Sequence, residues 1–290
     1  MSRVLNIQGR GLLPSDIQEI CHLIVDNPDW HRTRLSKELC ELWGWRTESG
    51  LLKDMACRSL LRKLEQKGFV TLPVARHSGN RQRRIIDVPH ESNPIETNLH
   101  AIQPIHLVPI QGRGETDDLF HCLMNRYHYL GCKGHVGEHM KYIAFDHKDR
   151  PVACLLFGSA AWKIASRDRF VGWDRMTRRQ NLRFMTNNTR FLILPWVRVP
   201  HLASFILGAS LRRLRRDWIT KYGHDLYLVE TFVDRSRFAG TCYRAANWTQ
   251  VGQSKGRSRQ DRHHKLQVPV KDIYVYPLTA KYKQQLCGQC

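Results

Sequence analysis

Three carboxylates stand out in a chain of 290 residues that carries 46 lysines and arginines against 26 acids. Asp174 closes the block Val171-Gly172-Trp173-Asp174, and Glu230 and Asp234 belong to Val229-Glu230-Thr231-Phe232-Val233-Asp234. Acids that converge hold hard divalent cations such as Mg²⁺, which stabilise the charge developing in phosphodiester cleavage and activate water or a terminal hydroxyl. Asp174, Glu230 and Asp234 are therefore the candidate catalytic and metal-holding residues, with Mg²⁺ as the expected cofactor. On an ideal strand Glu230 and Asp234 share a face but lie roughly 13 Å apart, so they share one metal only where the strand ends near Phe232 and turns. The competing reading pairs these acids with Arg190, Arg235 or Arg237. His128 is the candidate general base, and Tyr129 beside it could serve as a nucleophile, but the reading preferred for Tyr129 and for Tyr243 is ring packing.

The charge balance names the partner class. A formal net charge of +20 repels itself unless a polyanion neutralises it, and nucleic acid is the natural polyanion. The cations come in clusters: Arg175, Arg178, Arg179 and Arg183 follow Trp173, and Arg212, Arg213, Arg215 and Arg216 stud a long apolar segment. Lys255, Arg257, Arg259, Arg262 and Lys265 form a loop with His263 and His264, in the manner of a flexible phosphate clamp. Trp162, Trp173 and Trp248 lie among them, placed either to stack on unpaired bases or to pack in a core.

Nine cysteines, mostly in apolar segments, read as reduced and buried thiols. Cys287 and Cys290 form one Cys-x-x-Cys without a second pair at zinc spacing. No apolar stretch follows a basic amino-terminal segment and no run is long enough to cross a bilayer, so the expectation is a cytoplasmic protein that does not enter a membrane.

These groups need elements to hold them, and residues 14–25, 33–43 and 51–66 carry apolar residues at helical spacing. Core positions in them include Ile20, Leu39, Leu42, Met55 and Leu60, and Gly44 and Gly68 act as stops. Residues 69–72 and 85–88 read as two strands around a polar loop rich in arginine. Three helices and a basic hairpin predict a winged helix-turn-helix over 1–88. Its third helix would present Lys53, Arg58, Arg62 and Lys63 to the major groove, and its wing Arg81, Arg83 and Arg84 to phosphate or the minor groove. The alternative is an ordinary solvated helix face. Prolines 89, 94, 104 and 109 mark 89–110 as a linker.

The remainder, 111–290, predicts a mixed α/β domain: a helix over 117–126, strands over 141–146, 151–157 and 190–199, a long helix over 202–222, a strand over 225–233, a helix over 237–246 and a last strand over 273–278. The residue blocks here resemble the DruA family, which is found in Druantia anti-phage systems and in relatives associated with mobile elements. The resemblance rests on Arg126-Tyr127-His128-Tyr129-Leu130-Gly131, on the two acidic blocks above, and on Asn187-Asn188-Thr189-Arg190-Phe191-Leu192-Ile193-Leu194-Pro195-Trp196-Val197. It continues in Gly240-Thr241-Cys242-Tyr243-Arg244-Ala245-Ala246-Asn247-Trp248 and Lys271-Asp272-Ile273-Tyr274.

A second resemblance is to the GNAT acyltransferase fold, through its run of strand, long helix, strand and short helix ending in an aromatic residue, here Tyr243. That fold holds its cofactor pyrophosphate on a glycine-rich loop, where this chain has Val199-Pro200-His201-Leu202-Ala203-Ser204, so the fold is expected without acyl transfer. The resulting expectation is a DNA-binding protein of an anti-phage system or mobile element, acting on double- or single-stranded DNA as a Mg²⁺-dependent nuclease or strand transferase. The rivals are a non-catalytic DNA-binding module that recruits partners such as a helicase, and an acetyl-coenzyme A-dependent acyltransferase. Assembly into a homo-oligomer is compatible with each.

Overall fold

Helical spacing in the first part of the chain becomes three helices in the computed structural model, which describes residues 5–7, 10–47, 50–74, 86–132, 137–256 and 269–288. The chain divides into two units, Met1–Gln82 and Arg83–Cys290. In the first, α1 (Pro14–Asp26) has proline in its first turn, where a missing N–H is harmless, and Asp16 accepts a 2.7 Å bond from the Leu13 N–H. Helices α2 (Arg32–Leu42) and α3 (Asp54–Gln66) bury Leu35, Leu39, Cys40, Cys57, Leu60, Leu61 and Leu64 together with Ile20 of α1. A short hairpin of β1 (Leu5–Ile7) and β2 (Arg10–Leu12), invisible in the spacing, closes this core through Ile7 and Leu12.

Helix α3 starts later than expected because Leu52 is held in an antiparallel bridge to Arg46. Met55 and Leu42, read as core, are exposed. Residues 69–72 and 86–88, expected as strands, form none. The backbone N–H groups of Phe69 and Leu72 are taken by the Leu64 carbonyl and the Glu65 carboxylate, and Glu65 is itself gripped by both arms of Arg32 at 3.0 and 3.2 Å. Three packed helices are therefore present, with no paired wing strands after them among the described residues; residues 75–85, with Arg81, Arg83 and Arg84, lie outside those.

The second unit is a mixed seven-stranded sheet in the order β10-β11-β9-β7-β6-β5-β4. Strands β4 (His106–Ile110), β5 (Met140–Phe145), β6 (Pro151–Ser159) and β7 (Met185–Ile193) are antiparallel neighbours. Strand β7 then pairs in parallel with β9 (Leu228–Asp234), and β9 is followed antiparallel by β11 (Lys271–Pro277) and β10 (Thr249–Gln253). The central β6 is buried from Pro151 to Gly158, which its unbroken small and apolar run Pro-Val-Ala-Cys-Leu-Leu-Phe-Gly permits. A parallel pair needs a crossover, and α7 (Leu202–Tyr222) supplies it. Helix α4 (Glu115–Tyr127) lies against β5 and β6, and α5 (Ala165–Val171), α6 (Arg175–Asn181), α8 (Thr241–Ala245) and α9 (Tyr282–Cys287) complete the unit.

The succession β7, α7, β9, α8 is the order of strand, long helix, strand and short helix read from the sequence. Residues 89–110 are not a linker: Ile95–Glu96 is strand β3, parallel to β8 (Val197–Arg198), and β4 is an edge of the main sheet. Pro109 is tolerated inside β4 because that strand is an edge, where a missing ladder donor is harmless, and Pro89, Pro94 and Pro104 lie outside the strands. Cys40, Cys57, Cys122, Cys132 and Cys154 are buried and unbridged. No helix among the described residues is long and apolar enough to cross a membrane.

One glycine is demanded by close approach. Gly240, ahead of α8, sits at φ 69°, and a Cβ there would stand 2.6 Å from the Tyr274 hydroxyl oxygen and 2.9 Å from its ring carbon. Gly240→Ala is expected to lower the stability of the second unit by at least ~1–2 kcal/mol, the cost of the left-handed backbone before the collision is added. Denaturant titration of the full chain checks this, and an unchanged midpoint would refute it.

Candidate functional site

The sequence blocks converge where β7 and β9 part. Opposite Leu156 and Phe157 of β6, strand β7 presents Arg190 and Asn188, so Thr189 is one residue too many and forms a bulge. The parallel pairing with β9 runs from Met185 opposite Leu228 to Asn188 opposite Thr231, and both strands continue past it. Side chains satisfy the disturbed backbone. Asn188 Nδ2 donates to the Leu156 and Arg190 carbonyls at 3.3 and 3.1 Å, and Thr189 Oγ1 donates to the Leu156 carbonyl. Across the gap Thr231 Oγ1 donates to the Asn188 carbonyl at 2.9 Å, and the Tyr243 hydroxyl of α8 donates to Asn188 Oδ1 at 2.8 Å. Tyr243 is buried, which pushes its phenol up, and it stacks on Tyr274; it is a packing residue, as its alternative reading held.

Arg190 carries this arrangement to the block at 126–131. Its Nε donates to the Gly131 carbonyl at 2.8 Å and its Nη1 to the Thr189 carbonyl at 2.7 Å. His128 follows α4, accepts the Leu130 N–H on Nδ1 at 3.1 Å and so carries its proton on Nε2. Burial, with the Arg190 guanidinium adding to it, lowers the imidazole to about 4. The His128 ring stacks on Tyr129 with centroids 4.9 Å apart. Burial and the Asp234 carboxylate raise the Tyr129 phenol. Arg237 lies over the same ring, 4.5 Å from its centroid. Asp234 ends β9 and accepts from the Ser236 N–H and hydroxyl at 3.0 and 2.7 Å, bonds that hold its carboxyl below the usual range with Lys271 and Arg237 nearby.

Of the predicted catalytic set, His128 and Asp234 thus come to one neighbourhood, around Tyr129, and Glu230 and Asp174 do not. Glu230 is fully buried and its Oε2 accepts from Arg167 Nη1 at 2.7 Å, while Oε1 accepts the Ala161 N–H at 2.6 Å. Arg167 in turn donates to Asp168 at 2.7 Å, and Arg178 to the other oxygen of Asp168 at 3.0 Å. Burial pushes the Glu230 carboxyl up and the Arg167 charge opposes this. Asp174 is the exposed N-cap of α6, accepting the Thr177 N–H at 2.7 Å, which lowers its carboxyl. Among the described residues no three His, Cys, Asp or Glu form a group able to hold a metal ion. The ion-pairing alternative describes Glu230, with Arg167 as a partner that sequence reasoning missed; the one signal was Arg167 directly before Asp168 in the short helix α5.

The basic candidates divide. Lys53, Arg62, Lys63, Arg175 and Lys255 are exposed, Arg58 is tied to Asp54 at 2.8 Å, and Arg179 is half-buried. Arg178 is buried on Asp168 and is corrected from interface to core. Arg257, Arg259 and Arg262 lie outside the described residues. Trp173 and Trp248 are buried, and Trp162 is exposed near Arg178. A cavity of about 230 Å³ opens beside Arg126, Tyr127 and His90. There the Tyr127 hydroxyl donates to His90 Nε2 at 3.1 Å, Nδ1 donates to the Val88 carbonyl at 2.7 Å, and both rings pack on Trp196.

Acetyl coenzyme A, the cofactor a GNAT-like fold implies, does not fit the start of α7. Pro200 has no N–H, and the Leu202 N–H is already donated to the Val199 carbonyl, so the backbone cradle for a pyrophosphate is missing two donors. No chemical step is derived through it.

A family model described as Druantia protein DruA matches residues 63–267, more than half of the chain. No curated protein matches. Among solved structures, the spermidine/spermine N-acetyltransferase SpeG from Vibrio cholerae with manganese ions is 10% identical, with 62% of this chain and 96% of that chain covered and a TM-score of 0.39. A dodecameric spermidine N-acetyltransferase from the same organism is 10% identical over 61% and 95%, with a TM-score of 0.40. A GNAT-family acetyltransferase from Streptococcus pneumoniae is 11% identical over 59% and 99%, with a TM-score of 0.37.

The fates of the acids separate by magnitude. Glu230→Ala removes one of the two carboxylates that hold the buried Arg167 and is expected to cost ~3–5 kcal/mol, whereas Asp174→Ala removes a helix cap worth ~1 kcal/mol; equal losses in denaturant titration would refute the assignment. His128 sets a pH dependence. Its folded value of about 4 lies below the ordinary 6.5, so the unfolded chain takes up a proton first. The stability that His128 contributes is fully present above pH 6.5 and is lost as pH falls from 6.5 towards 4. The imidazole resonances are expected to titrate near pH 4, and His128→Asn, which keeps an acceptor for Leu130, to flatten the stability slope in that window; a midpoint near 6.5 would overturn this.

Proposed function

The chain belongs to the DruA family, and from that premise we propose that it is a DNA-binding component of an anti-phage defence system or mobile element, gripping DNA by its phosphates. The observation that carries this is where the two signs of charge lie. Several acids are held by cations of the chain, Glu65 by Arg32, Asp54 by Arg58, Asp117 by Lys141, Asp146 by Arg150, Asp225 by Arg215, and Asp168 and Glu230 by Arg167, while others such as Asp26, Glu41 and Asp149 face solvent. Lys53, Arg62, Lys63, Arg175 and Lys255 remain exposed in a chain of net charge +20. A polyanion is the partner that such a surface recruits.

The binding role is favoured over metal-dependent cleavage, because a divalent ion at Asp174, Glu230 and Asp234 would need a carboxylate already held by Arg167, another acting as a helix cap, and a third closing a turn. The chain then acts by placing partner proteins, such as a helicase, on DNA.

Binding of the full chain to labelled duplex DNA is expected to weaken about 10³- to 10⁵-fold between roughly 50 and 200 mM salt if six to ten phosphates are contacted. The double substitution Arg62→Ala and Lys63→Ala is expected to reduce the log–log salt slope by about 2, one for each phosphate left without its cation. Fluorescence anisotropy reads both. Salt-independent binding, or no binding at low salt, would sink the proposal, and Mg²⁺-dependent cleavage abolished by Asp234→Asn would restore the nuclease reading.

A further inference from the structure

An indole stands half in water above the buried chain of charges in the second unit. Trp162 is 50% exposed on the loop between β6 and α5, and the residue before it is clamped on both sides of its backbone. The Ala161 N–H donates to Glu230 Oε1 at 2.6 Å, and the Ala161 carbonyl accepts from Arg167 Nη2 at 2.9 Å. Glu230 and Arg167 are fully buried and paired with each other, Arg167 is also fixed by Asp168, and Asp168 holds Arg178. The Arg178 guanidinium lies over the Trp162 ring, 5.9 Å from its centroid. Four buried charged groups thus fix the loop and support one side of the indole, and no second cation or aromatic ring among the described residues covers it.

One exposed ring by itself is ordinary. Here a rigid seat coincides with a one-signed surround. Residues 160–183 carry seven lysines and arginines against two acids, Asp168 and Asp174. Both acids are engaged, Asp168 between Arg167 and Arg178 and Asp174 as the cap of α6. Lys163, next to the indole, and Arg175, one turn before Arg178 on α6, are exposed and make no ion pair among the described residues.

We infer that Trp162, flanked by Lys163 and Arg175, forms a stacking site for an unpaired base of single-stranded DNA. An unpaired base offers a flat π face to the indole and brings a phosphate on either side to the cations. A duplex keeps its base faces stacked on one another, and an apolar protein segment would leave the cations without counter-charge. The inference deepens the DNA-binding proposal and rests on it, adding strand form and a contact on the second unit.

The test compares the full chain on labelled oligo(dT), oligo(U) and a duplex of the same length. Stacking of one base on an aromatic ring changes affinity about 5- to 150-fold. Trp162→Ala is expected to weaken oligo(dT) binding by a factor in that range with duplex binding unchanged, and Trp162→Phe to retain most of the affinity. Trp162→Leu keeps apolar bulk without a π face; it is expected to bind as weakly as Trp162→Ala and replaces it where circular dichroism shows misfolding. The double substitution Lys163→Ala and Arg175→Ala is expected to lower the log–log salt slope on oligo(dT) by about 1.4, at about 0.7 for each phosphate of a single strand. Unchanged oligo(dT) binding without the indole, an unchanged slope in the double variant, or equal losses on duplex overturns the inference. Failure of the wild type on oligo(dT) with intact duplex binding overturns it alone, and failure on both overturns the DNA-binding proposal as well. A loss confined to oligo(U) reassigns the occupant to RNA and overturns the DNA assignment.

Discussion

Two parallel strands stay hydrogen-bonded only while their edges keep step, and at Thr189 the edge of β7 gains a residue that its neighbours do not have. From that point β7 follows β6 and leaves β9, opening the sheet. An opened sheet exposes backbone polar groups, which is costly unless each finds another partner. Asn188, Thr189, Thr231 and Tyr243 supply those partners from four side chains, so the gap is stable without being filled. Arg190, the residue after the bulge, then ties β7 to the Gly131 carbonyl. Positions of His128, Tyr129 and the turn after Asp234 all descend from this one irregularity.

The same demand for partners governs the buried acids. A carboxylate in the core cannot stand alone, since burial without a partner costs several kcal/mol or neutralises the group. Glu230 meets this with an arginine and a backbone N–H rather than a metal, and Arg167 needs a second acceptor that Asp168 provides. Asp168 in turn draws in Arg178. A chain of alternating charges results, running from the middle of β9 to α6, and it explains why a cluster that looked like surface arginine contributes a core residue.

Much of the second unit was legible because its elements are long and strongly patterned: α7 occupies 202–222 as its apolar spacing requires, and β6 announces itself by an unbroken apolar run. What escaped was set by partners distant in sequence. Strand β4 is an edge strand whose Pro109, with the prolines before it, imitates a linker, and only its pairing with β5 reveals it. The hairpin β1–β2 spans too few residues to show a period. In the first unit, three helices were readable from spacing, but Met55 was not, since at five residues before Leu60 it lies about 140° round the helix from the face that meets the core. The site residues followed the same rule. Glu230 and Asp234 read as a pair in the sequence, yet β9 runs on as far as Asp234 without turning at Phe232, so Arg167 takes the first acid and the turn at Ser236 takes the second.

Which chemistry remains at Tyr129 follows by working through its neighbours. A tyrosine acts as a nucleophile when a base can take its proton, and here burial and the Asp234 carboxylate hold that proton more tightly than in water. His128, the adjacent candidate base, already accepts the Leu130 N–H on Nδ1, so its remaining nitrogen bears hydrogen and cannot accept another. Nucleophilic use of the hydroxyl is therefore disfavoured by two independent contacts. The faces of the ring are already taken, by the stacked His128 imidazole and by the Arg237 guanidinium. What remains for Tyr129 is packing: its ring holds the His128 imidazole and the Arg237 guanidinium together, which asks for no proton transfer and no metal.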